Sequence, residues 1–148
     1  MVEEGQQAPD FDLLSDEGER VRLSDLRGKP VVLYFYPRDD TPGCTAQACG
    51  IRDAYADFRK RGAVVLGVSV DTQAAHVKFK TKYELPFTLL ADPDRTAGEA
   101  YGVTREDSRT FERSTFVIDP EGKVARVMRR VDPRKHADDV LAALAEAG

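Results

Sequence analysis

The sequence predicts an α/β fold: a mixed central β-sheet flanked by helices and led by an N-terminal β-hairpin. Three observations carry the prediction. Apolar strand-like runs alternate with helical spacing through most of the chain, a hairpin signal surrounds Gly122, and an amphipathic helix closes the sequence. With 148 residues, 41% hydrophobic and 32% charged, the chain is expected to form one domain over 1–148 with a sizeable core.

The elements follow in order. Residues 11–14 and 20–23 bracket Asp16, Glu17 and Gly18 as a small leading hairpin. Residues 31–36 (VVLYFY) are continuously apolar and read as a buried strand. From Thr41 to about Lys60 the spacing turns helical. Residues 63–70 form a second buried strand, a helix runs from about Thr72 to Lys82, residues 87–90 make a short strand, and a short helix covers 96–101. Residues 114–119 and 123–128 flank a Pro120-Glu121-Gly122 turn. The last helix is expected to open at Asp132 and Pro133, as N-cap and first helical residue, with Ala137, Val140, Leu141 and Leu144 on one face. An antiparallel hairpin finishing such a chain points to a thioredoxin-like sandwich. It counts against the rival, a flavodoxin-like and fully parallel sheet.

Charge narrows the function classes. A net charge of -4 with scattered basic residues argues against a nucleic-acid footprint. The groups at 59–61 and 129–130 read as solvated faces. The N-terminus is acidic and polar where a signal peptide is basic and then apolar. No apolar run is long enough to span a bilayer, so no membrane partner and a cytoplasmic location are expected. That reducing compartment argues against a structural disulfide. Two cysteines only five positions apart therefore need another explanation.

Thr41 followed by Pro42 is a helix-start signal, with threonine as N-cap and proline as first helical residue. Cys44 then falls in the first turn, where backbone N–H groups are unpaired and the helix dipole is positive. A thiolate is stabilised there. Cys44 also heads an apolar stripe with Ala48, Ile51, Tyr55 and Phe58, and a cysteine on such a stripe is commonly a small core residue. The compact, polar cap of Thr41, Pro42 and Gly43 suits a pocket better than a packed core. Cys49 lies off the stripe, about 140° around the helix.

At this point the sequence resembles the peroxiredoxins. Pro37 to Cys44 matches their P-x-x-x-T-x-x-C motif, and the second cysteine at 49 looks like the bacterioferritin comigratory protein, or peroxiredoxin Q, subgroup. The run from Arg113 to Asp119 resembles that family's arginine and strand, and the likeness extends from Ala8 to the final helix. The resemblance implies a thiol peroxidase for hydrogen peroxide and organic hydroperoxides. Cys44 would be the peroxidatic nucleophile and Cys49 the resolving cysteine of an intramolecular disulfide. Thr41 would hydrogen-bond the peroxide, Pro37 would shield the sulfur, Arg113 would polarise the peroxide and stabilise the thiolate, and Gln47 would orient Arg113. No metal or organic cofactor is needed, because sulfur supplies nucleophile and redox centre alike. Thioredoxin is the implied reductant, with glutaredoxin or glutathione as the alternative. A monomer is expected before a dimer, although the loop ahead of Arg113 leaves oligomeric state and preferred peroxide open.

Two rivals share these residues. A thiol–disulfide oxidoreductase would carry C-x-x-C at the helix start, where this chain has C-x-x-x-x-C. A redox-sensing or chaperone module would depend on apolar surface exposed by oxidation. His76 and His136 form no standard ligand pair with either cysteine, and His76, sharing a helix face with Phe79 and Tyr83, reads as a packing or surface residue. One consequence is geometric. In a continuous helix the Cα atoms of Cys44 and Cys49 stand about 8.6 Å apart, and a disulfide needs about 4.4–6.8 Å. Oxidation is therefore expected to unwind the helix between them.

Overall fold

All five side chains of β3 (Val31–Phe35) are buried, which requires cover on both faces of the sheet. The structure, a computed structural model, describes residues 2–106 and 109–147. Among them β1 (Asp12–Ser15), β2 (Arg20–Arg22), β3, β4 (Val64–Ser69), β5 (Thr88–Ala91), β6 (Ser114–Ile118) and β7 (Val124–Arg129) form one sheet. Its order is β2-β1-β5-β4-β3-β6-β7. β4 runs parallel to both β3 and β5, whereas β6 pairs antiparallel with β3 and with β7, and β1 antiparallel with β2 and β5. The sheet is mixed, as the sequence predicts, and the leading hairpin is β1–β2.

Alternation along the strands feeds two cores. One face carries Leu33, Phe35, Leu66, Val68, Leu90 and Phe116 under α4 (Thr96–Ala100) and the N-terminal segment. The other carries Val32, Tyr34, Val65, Leu89 and Val117. It is covered by α1 (Pro42–Asp53), α2 (Tyr55–Lys60), α3 (Gln73–Tyr83) and α5 (His136–Ala147). Each large apolar side chain buried this way contributes about 1.5–3 kcal/mol.

Two helices differ from expectation. The helical stretch from Thr41 to Lys60 breaks at Ala54, whose φ of -99° and ψ of 8° leave the helical region. The bend lays α2 on β4 with Phe58 fully buried. The last helix opens at His136, not at Asp132–Pro133. Asp132 caps a separate turn instead, its Oδ1 accepting from Arg134 N–H at 3.0 Å and its carbonyl from Lys135 N–H at 3.1 Å. The predicted apolar face of that helix is kept, with Val140 and Leu144 buried and Ala137 and Leu141 packed beside them. Within the loop ahead of Arg113, residues 107 and 108 lie outside the described residues. Among the described residues no helix is long and apolar enough to cross a membrane.

Candidate active site

Cys44 is the third residue of α1. Thr41 holds the N-cap in extended conformation, Pro42 opens the helix, and Thr45 N–H makes the first helical bond, to the Thr41 carbonyl at 2.8 Å. Proline has no N–H, and the amides of Gly43 and Cys44 come before that first bond. Both point out of the helix end, where they favour negative charge on the sulfur or on an oxygen beside it. Cys44 is a free thiol only 2% exposed, packed with Tyr34, Tyr36 and Ala48.

The Thr41 side chain does not cap the helix, contrary to expectation. Its hydroxyl donates to the Arg38 carbonyl at 3.0 Å. Spending its proton there leaves the oxygen able to accept a hydrogen bond from a bound molecule. Pro37 follows the end of β3, where Tyr36 N–H donates to the Val68 carbonyl at 3.0 Å, and it is half-buried.

Arg113 arrives from the other side of β3. Ser114 pairs with Phe35, so Arg113 stands at the strand end from which residues 37–40 leave. Its Nη1 donates to Gln47 Oε1 at 2.6 Å, and Gln47 is completely buried. Gly43 is what admits the guanidinium. A Cβ at that position would stand 3.0 Å from Arg113 Nη2, tighter than ordinary contact. Helix start, Gln47 and Arg113 therefore meet, as the sequence predicts.

Cys49 is half-buried and free. Around it α1 is tied to α3. Arg52 Nη1 donates to the Tyr83 carbonyl at 2.8 Å, while the Tyr83 hydroxyl and Lys82 Nζ both donate to Asp40, each at 2.8 Å. Asp40 takes a left-handed φ of 58°.

Tyr34, His136 and Asp39 are not singled out as site residues by the sequence. Tyr34 lies across Gly67, and its hydroxyl is held well above the usual phenol range by burial and then by the negative charge of Cys44. His136 faces Thr115 Oγ1 at 2.6 Å through Nε2, and burial, with Arg113 adding to it, pushes its imidazole down to about 3. His76, expected as a packing or surface residue, is the former: it is fully buried and faces Asp39 at 2.6 Å. Its place on the Phe79 face of α3 was the available signal, because that face is the one that packs. Among the described residues no group of three or more His, Cys, Asp or Glu could hold a metal ion.

Comparison with known proteins identifies the family. A model of the AhpC/TSA family matches residues 4–127. The chain belongs to the AhpC/TSA family. It is 50% identical over 149 residues to a Coxiella burnetii chain bearing the name peroxiredoxin bcp, covering 97% of this chain and 99% of that one. Peroxiredoxin Bcp of Bacillus subtilis is 46% identical, with 97% and 95% covered. Among solved structures, the bacterioferritin comigratory protein of Xanthomonas campestris superposes with a TM-score of 0.91 at 35% identity, over 99% of this chain and 100% of that one. Its trapped-intermediate and ligand-complex structures bear on its alkyl peroxide reduction activity. The fold is thioredoxin-like, and the subgroup is the one the cysteine spacing resembles.

Proposed function

We propose that Cys44 is the peroxidatic nucleophile of this thiol-dependent peroxidase and Cys49 its resolving partner. The observation that carries the assignment is a free, buried thiol in the first turn of α1, with Arg113 held beside that turn by Gln47. The Cys44 thiolate attacks the terminal oxygen of hydrogen peroxide or an organic hydroperoxide. The O–O bond breaks, the sulfur becomes a sulfenic acid, and the departing oxygen takes a proton to leave as water or an alcohol.

Each neighbour has a part in that step. The Gly43 and Cys44 amides and Arg113 Nη2 stabilise charge on sulfur and on the departing oxygen. Thr41 Oγ1 accepts the hydrogen bond of the peroxide O–H and aligns it. Pro37 shields the sulfur from water. Gln47 fixes the guanidinium without touching the peroxide.

Cys49 then attacks the Cys44 sulfenic acid. A disulfide forms and water leaves. An external dithiol restores both thiols, and thioredoxin is the donor we assign, with glutaredoxin as the comparison. We assign the whole chain, 1–148, as one unit that acts as a monomer, with α5 packed on α1 inside it.

The test is peroxide consumption by purified protein with thioredoxin, thioredoxin reductase and NADPH, followed by mass analysis of the oxidised chain. Catalytic turnover and an intramolecular Cys44–Cys49 link are expected. A chain that turns over without forming that link would remove Cys49 from the cycle, and a reduced chain that fails to consume even one equivalent of peroxide would remove Cys44.

A further inference from the structure

Residues 37–40 are fastened by a buried network to which the cycle above gives no role. Asp39 is its centre. Oδ1 accepts from the Tyr36 hydroxyl at 2.5 Å, Oδ2 faces His76 Nδ1 at 2.6 Å, and the Asp39 N–H donates to Asp71 Oδ2 at 2.8 Å. His76 Nε2 stands 2.9 Å from the Leu90 carbonyl oxygen. The side chain of His76 is 0% exposed and that of Asp39 6%.

A carbonyl oxygen only accepts, so Nε2 donates. Where Asp39 is ionised its carboxylate only accepts as well, and Nδ1 then donates too, which makes the two side chains an imidazolium–carboxylate pair with no net charge. Tyr36 faces it from β3. Ser69 and Asp71 face it from the end of β4 and the turn beyond, where Ser69 Oγ donates to Asp71 Oδ2 at 2.6 Å. Tyr34 lies within reach of the charges of both Asp39 and Cys44, which each raise its hydroxyl further after burial.

We propose that His76 is a positioning residue for peroxide reduction: it balances the charge of Asp39 and so holds residues 37–41, with Pro37 and Thr41 at their ends, against the Cys44 turn. This rests on the assignment of Cys44 as nucleophile. Burying a carboxylate without its partner is strongly unfavourable. An unbalanced Asp39 would also oppose a thiolate at Cys44, because charges interact strongly through a protein interior.

The test is the thiolate absorbance of Cys44 against pH, with no peroxide present, together with stopped-flow peroxide kinetics. His76→Phe keeps a ring but leaves Asp39 unbalanced. Its thiolate titration is expected about one pH unit higher than wild type, and its rate constant for peroxide at neutral pH about tenfold lower. Asp39→Asn/His76→Phe removes the stranded charge and returns the titration to its wild-type position, which a merely structural role would not do. A folded His76→Phe with unmoved titration and unchanged rate would overturn the proposal. Should that variant not fold, nitrogen NMR of the His76 ring in the wild-type protein decides. Protons on both ring nitrogens at neutral pH are expected, and a proton on one alone overturns it. Failure of the Cys44 assignment would show separately, as peroxide reduction that survives Cys44→Ser.

Discussion

Arg113 Nη1 donates to Gln47 Oε1 at 2.6 Å, and the acceptor is a completely buried side chain. A charge-assisted bond of that length, made from α1 itself, fixes the plane of the guanidinium relative to the helix start. Nη2 is left at the Gly43 end. One fork of the arginine is anchored, and the other lies beside Gly43 in the first turn of α1, where the proposed reaction would take place.

Arg113→Met should therefore lower peroxide reduction by about 10²–10³-fold, the usual cost of one lost oxyanion donor. Gln47→Leu keeps the charge and loses the anchor, so a loss of about tenfold is expected. The informative measurement is the rate constant at a pH where Cys44 is fully ionised. An unchanged rate there for Arg113→Met would remove the guanidinium from the chemical step.

Cys44→Ser should abolish turnover and leave the fold intact, since a serine hydroxyl fills the same space and offers no redox chemistry. Circular dichroism and a peroxide assay on the same sample check both halves. More than a few per cent of residual turnover would mean that another group is the nucleophile.

How legible was this in the sequence? The strands and the core were, because an all-apolar VVLYF run and an i, i+4, i+7 stripe have few other readings. The family motif singled out Cys44, Thr41, Arg113, Gln47 and Pro37 as candidates, and the structure brings the cysteine turn, Arg113 and Gln47 together. Helix ends were less legible. Asp132-Pro133 is a sound helix-start pair, yet the aspartate carboxylate is equally good at closing a local turn, and it does that here. The Asp39–His76 pair joins positions 37 residues apart, and no short-range pattern links the two. Only the β3–β4–β5 topology, which sets the loop after β3 beside α3, makes them neighbours.

The proposed resolution of Cys44 by Cys49 would require motion, because both cysteines lie within α1. On helix geometry their Cα atoms are about 8.6 Å apart, beyond disulfide range. Amide exchange for residues 43–52 is expected to be slow in the reduced protein and fast once the Cys44–Cys49 link has formed. Cys49→Ser should accumulate a sulfenic acid on Cys44 after one equivalent of peroxide, detectable by a dimedone adduct. Equal protection in both redox states, with the disulfide confirmed by mass, would sink the unwinding step.

Tyr83 straddles that segment, holding Asp40 on one side of the cysteines and Arg52 on the other. Tyr83→Phe removes only the hydroxyl bond to Asp40, worth about 1 kcal/mol. The unwound population should then rise about fivefold, with faster resolution and less sulfinic acid formed at high peroxide. Unchanged exchange in α1 would show that this tie does not limit opening.

The last prediction is a pH dependence of stability. His136 is buried, with its imidazole held down to about 3 by burial and by the charge of Arg113, against an ordinary value of 6.5. Below pH 6.5 the unfolded chain binds a proton at this residue that the folded chain refuses. The unfolded state thus gains protons first, and stability contributed by neutral His136 is full above about pH 6.5 and is lost progressively as pH falls toward 3. Between pH 7 and 4.5 the loss amounts to about 2.5 kcal/mol. His136→Phe should be less stable at neutral pH, because Thr115 Oγ1 loses its partner, by about 1 kcal/mol. It should also lack this part of the acid sensitivity, so the two urea-denaturation curves converge and then cross as pH is lowered. Parallel pH profiles for wild type and variant would show that His136 accepts its proton in the folded state.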